Sequence, residues 1–154
     1  MSPAYQEIID KAMAFPLGDI LERYAQEKDL SPAVVEEHER ELRRFFVVVA
    51  THPDAVYGMS DALDPLLHTF ILYTRRYAQF CQEVGGAFIH HEPKTLPDEE
   101  YGPAYNRFAS DYVEIFGHYP PTHIWPPGAR TDCDCSMACH RRRTYVDIAS
   151  ARNS

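Results

Sequence analysis

The sequence predicts an all-α protein: a single-domain bundle of about five helices with an irregular Pro/Cys-rich C-terminal arm. Three observations lead there. Apolar residues recur at three- and four-residue spacing along the chain as far as Gly117, the signature of helices with one buried face. Prolines and glycines fall where such helices would start and stop. No alternating strand pattern and no internal repeat stands out. Residues 1–126 form the expected helical domain, and residues 127–154 the cysteine-containing arm, packed on that domain or mobile.

In chain order, Ile8, Ile9, Ala12, Met13 and Phe15 make the first apolar stripe, and Pro16 breaks it. Ile20, Leu21 and Tyr24 make a short second one. The third segment carries the clearest signals. Ser31 suits an N-cap, Pro32 suits the first helical position, and Glu36 and Glu37 lie near the positive end. Pro53 places its end near Thr51. A fourth helix should start near residues 61–64, capped by Ser60 or Asp61, and stop at Gly85-Gly86. The last, with Tyr105, Phe108, Tyr112 and Ile115 on one side, should end at Gly117. Beyond Tyr119 the chain turns proline-rich, then cysteine-rich, with Trp125 as its expected anchor on the helices.

At 154 residues the chain suits one domain with a real core. Its formal charge of −8 argues against nucleic acid, which needs a basic surface; HRRR at 140–143 reads as a solvated tail. No signal peptide and no apolar run of membrane-spanning length is visible. The expected location is cytoplasmic, where cysteines serve as thiols or metal ligands rather than disulfides.

Chemistry concentrates first on DPLLHTFILYTRRYAQFC, residues 64–81. On one continuous helix, Leu66, Leu67, Phe70, Tyr73, Tyr77, Cys81 and Val84 form the core stripe. Asp64, His68, Arg75 and Gln82 form a separate polar line. Four residues apart, Asp64 and His68 can reach one ion, or the carboxylate can orient the imidazole from outside the ligand set. The plain alternative is an ordinary helix pair without metal. Cys81, on the opposite side, reads as a small buried apolar residue.

The stretch from FFVVVATHP through FIHHEP, with YNRFASDYVEIFGHYPPTHIWP after it, resembles the bacterial glycine-rich domain-containing-like proteins. These are related to the N-terminal helical domain of plant glycine-rich domain proteins. The resemblance runs over residues 45 to 126 and rests on Asp64, Leu67-His68, Ile71-Leu72, Tyr77, Phe80-Cys81, Gly86 and His91. A tryptophan expected in that pattern is Leu67 here, on the core stripe, so the change touches packing rather than ligands. The resemblance implies a helical fold and a recurring Asp/His set, and no reaction.

Three metal constellations follow. The first is Asp64 and His68 with His90 or His91; His91 is favoured because it occupies the position that recurs in the resembled pattern. One carboxylate and two imidazoles with open positions suit non-haem iron or catalytic zinc. The alternative is a loop pair of histidines, one buried and one solvated. The second is CDCSMACH, with Cys133, Cys135, Cys139 and His140, a soft donor set for zinc, copper(I) or iron–sulfur. Its spacing is not that of a zinc ribbon, and Asp132 and Asp134 would raise the thiol pKa values; free thiols in a tail are the alternative. The third, His118 and His123, reads as surface histidines in a stiff connector. His38 reads as helix surface, and His52 as a residue at a helix end where a cation is favoured.

Together these give a metal-binding helical protein, with iron, copper or zinc as the ion. A small mononuclear metalloenzyme, such as an oxidoreductase, would act on a small molecule or peptide, with Arg75 holding a substrate carboxylate. The alternatives are a scaffold module whose acidic surface meets a protein partner, with structural zinc or none, and a metal-handling protein built on the cysteines.

Overall fold

The computed structural model describes residues 3–93, 98–126 and 137–141. The protein is mostly helical, as its periodicity predicts. Six helices lie among the described residues: α1 (Pro3–Ala14), α2 (Gly18–Lys28), α3 (Pro32–Thr51), α4 (Asp64–Leu72), α5 (Thr74–Gly85) and α6 (Asp98–Phe116). None is long and apolar enough to cross a membrane.

α3 is the axis of the bundle and packs against each of the other five helices. Its ends follow local chemistry. The Ser31 hydroxyl accepts from the Val34 N–H, Pro32 opens the first turn, and the last turn closes from His52 N–H to Val48 O. Its C-terminal half, Phe45 to Ala50, is buried all round, which explains why FFVVVA lacks a polar face. Phe46 sits at the centre, edge-on to Phe70, Tyr77 and Phe80. Phe45 stacks on Trp125, which also lies against Phe108, so Trp125 anchors the segment after α6 as expected.

The fourth predicted helix is two helices. At Tyr73 (φ −84°, ψ 65°) the chain leaves helical geometry. Its N–H reaches back only three residues to Phe70 O, and a new helix starts from the Tyr73 carbonyl. No proline or glycine marks the spot. The Tyr73 ring lies between the Arg23 and Arg76 guanidinium groups, 5.8 and 5.6 Å from their carbons. Gly86, at φ 70°, closes α5 in the left-handed conformation that glycine tolerates.

A small sheet that the sequence pattern does not predict lies beside the helices. β1 (Val56–Gly58), β2 (Ile89–Pro93) and β3 (Met137–Arg141) pair antiparallel in the order β1-β3-β2. Strands of three to five residues are too short to display alternation. β3 comes from the 127–154 arm and lies between the two strands of the helical domain.

Candidate metal centre

The start of α4 and the strand β2 bring Asp64, His68 and His91 together. Asp64 occupies the first turn of α4, ahead of Pro65, where the helix N-terminus favours a negative charge. His68 follows one turn later on the same face. β2 is held against α5 by the Tyr77 hydroxyl, which donates to Ile89 O over 2.5 Å. Ile89 is buried, and strand alternation turns His91 the same way. Sequence reasoning placed Tyr77 only in the core; the Tyr-to-carbonyl tether has no sequence signal, because the carbonyl belongs to every residue.

The three side chains converge closely. His91 Nε2 lies 3.1 Å from His68 Nε2 and 3.1 Å from Asp64 Oδ1. His68 Nδ1 lies 3.3 Å from Asp64 Oδ2. The imidazole of His91 is 2% exposed, the Asp64 side chain 27% and that of His68 51%. The cluster is therefore sealed on the β2 side and open to solvent at His68.

Asp64 Oδ1 is the informative atom. It is buried and accepts no hydrogen bond among the described residues, although His91 Nε2 is within reach by distance alone; that ring nitrogen does not aim a proton at it. A buried carboxylate oxygen without a donor is costly. With Nδ1 of His68 facing Asp64 Oδ2, the proton of that ring is favoured on Nδ1, leaving a lone pair on Nε2. Two ring nitrogens and a carboxylate oxygen thus meet at one point. Spacings near 3.1 Å match the edges of a coordination sphere with bonds of about 2.0–2.2 Å. The residues fit a divalent metal.

The remaining expectations divide. His90 points to the other side of β2, its ring edge-on to Phe88, so His91 and not His90 belongs to the cluster. Arg75 is exposed on α5, beyond the break at Tyr73 that interrupts the continuous helix on which it lined up with His68. Cys81 is fully buried, and burial pushes its thiol up to about 11, so it is packing, not ligand. Cys133 and Cys135 lie outside the described residues. Cys139 and His140 lie in β3, in register with His91 and His90, but their side chains lie outside the described residues. His118 meets the Tyr119 carbonyl, and His123 lies 2.6 Å from a Glu37 oxygen. His38 is half-buried against the Tyr24 hydroxyl at 2.8 Å rather than solvated, and desolvation lowers its pKa.

A helical domain with an Asp/His/His cluster at a helix start and a strand is the class that fold and site define. A family described as UCP032817-like matches residues 5–104, more than half of the chain and all three cluster residues. The chain belongs to the UCP032817-like family. That assignment overturns the resemblance to glycine-rich domain-containing proteins: aromatic stripes, a Phe-Cys pair and a glycine stop are packing features common to helical domains. No curated protein and no solved structure matches the chain.

Proposed function

We propose that this protein binds one divalent metal ion, iron, copper or zinc, through Asp64 Oδ1, His68 Nε2 and His91 Nε2. We further propose that the ion's solvent-facing positions receive a small molecule or peptide. The observation that carries the reading is the convergence of two imidazole nitrogens on a buried carboxylate oxygen that accepts no hydrogen bond among the described residues. Iron or copper would supply oxidation chemistry there, and zinc a bound hydroxide. The chain's own contribution is orientation. Asp64 Oδ2 fixes the His68 ring, and the Tyr77–Ile89 tether fixes the strand that carries His91. Half-exposure of His68 leaves one side for the incoming group.

Elemental analysis of the purified protein tests this. The parent chain should retain at least one equivalent of iron, copper or zinc, and Cys135→Ser should retain it too. His68→Ala should weaken binding at least 100-fold, since even outer partners of metal ligands are worth about 10–100-fold. A parent that takes up no ion, or a His68→Ala variant that binds as tightly as the parent, would sink the reading. Loss of metal only in Cys135→Ser would move the function to the cysteine arm. Unfolding on chelation would make the ion structural rather than catalytic.

A further inference from the structure

A second group of donors, sharing no residue with the first, converges at the C-terminus of α3. His52 Nε2 faces Asp111 Oδ1 and Glu114 Oε2, each 3.6 Å away. Those separations are too long for hydrogen bonds, yet they span a central ion with bonds of about 2.1–2.2 Å.

Each of the three side chains is oriented from behind. His52 Nδ1 lies 3.1 Å from Val48 O, a pure acceptor, so the ring proton belongs on Nδ1 and the lone pair on Nε2. Thr51 Oγ1 is 2.9 Å from the same nitrogen. The buried Tyr57 hydroxyl donates to Asp111 Oδ2 over 2.5 Å. The Tyr5 hydroxyl donates to Glu114 Oε1 over 3.1 Å. In both carboxylates the oxygen that faces His52 is the one left clear by its phenol. Outer donors that fix ring tautomer and carboxylate rotamer are the usual company of metal ligands. Asp111 and Glu114 stand three apart on α6, and an adjoining open cleft of about 470 Å³, lined by His52, Asp111 and Arg107 among others, gives an ion a way in.

We infer that His52, Asp111 and Glu114 form a second divalent-metal site, with a harder donor set than Asp64, His68 and His91. One imidazole and two carboxylates suit manganese(II) or iron(II) better than soft thiophilic ions.

Manganese(II) is the probe, because thiolates in the C-terminal arm compete for it poorly. The sharp electron paramagnetic resonance signal of the free ion is lost on binding and counts bound metal. In a His68→Ala background, which removes the first site, the chain should still take up one manganese(II). Adding Glu114→Gln, at a side chain 55% exposed and therefore tolerant of change, should weaken uptake at least 10-fold. Tyr57→Phe should weaken it about 10-fold while leaving it measurable. No signal loss in His68→Ala, or identical titrations with and without Glu114→Gln, would overturn the inference and leave His52 a histidine beside two carboxylates. If parent and His68→Ala bind equally while Glu114→Gln binds weakly, manganese(II) enters this site and not the first, and the inference stands.

Discussion

Glu41 shows what a single residue decides in this molecule. It is fully buried in the middle of α3, yet it faces Arg44 Nη1 at 2.8 Å, Arg40 Nε at 3.3 Å and the Tyr112 hydroxyl at 2.9 Å. Arg44 Nη1 also donates to the Tyr112 oxygen. Removing one member of such a network strands the rest, which costs more than the network itself contributes. Glu41→Ala is expected to destabilise the protein by about 3 kcal/mol, and Glu41→Gln by less, because an amide oxygen still accepts; urea unfolding of the three proteins measures both. In the sequence, EEHERELRR reads as a run of solvated charges. The register that turns Glu41 inward, toward a tyrosine 71 positions away, is invisible there.

At the scale of elements, the helix ends were legible and the helix break was not. Ser31-Pro32, Gly86 and Gly117 act on backbone within a few residues of themselves, through a capping hydroxyl, a fixed ring or a left-handed glycine, so local chemistry announces them. At the interruption the Tyr73 ring lies near Arg76 of α5 and Arg23 of α2, and the α2 partner is 50 positions away in the chain. Arg76 also holds Asp19 across the α2–α5 boundary in a bidentate pair, and its guanidinium keeps the Asp19 carboxyl down at about 2. A carboxyl with a depressed pKa stabilises the fold above the unfolded-state value near 3.8 and loses that contribution as pH falls through about 2. Melting temperatures of parent and Asp19→Asn should therefore differ at pH 6 and converge between pH 4 and pH 2. Both groups are substantially exposed, so the difference is expected to be small and to shrink further in high salt. A gap that fails to shrink between pH 6 and pH 2 would show that the substitution disturbs something other than charge.

For the whole molecule, the segment after α6 is what closes the bundle. Trp125 is 3% exposed between Phe45 of α3 and Phe108 of α6, and the Ser60 hydroxyl ties the Ile124 carbonyl to the turn before α4 over 2.5 Å. Trp125→Ala should cost about 3–5 kcal/mol through the cavity it leaves. Because Ser60 precedes the helix carrying Asp64 and His68, the loss should also weaken metal uptake at the first candidate site. Thermal unfolding and metal content of one preparation check both.

Amino-acid order alone determined the helical class, several helix termini, most of the core stripe of α4 and α5, and the pairing of Asp64 with His68 on one helix face. Those features depend on backbone rules and on spacings of three or four residues, which a linear reading captures. Tertiary structure decided the rest: that His91 rather than His90 turns inward, that Glu41 is buried, and that His52 meets Asp111 and Glu114. Each requires two helices, or a helix and a strand, to lie at a particular distance and rotation. That geometry comes from packing the aromatic core around Phe46 and Trp125, and no local pattern encodes it.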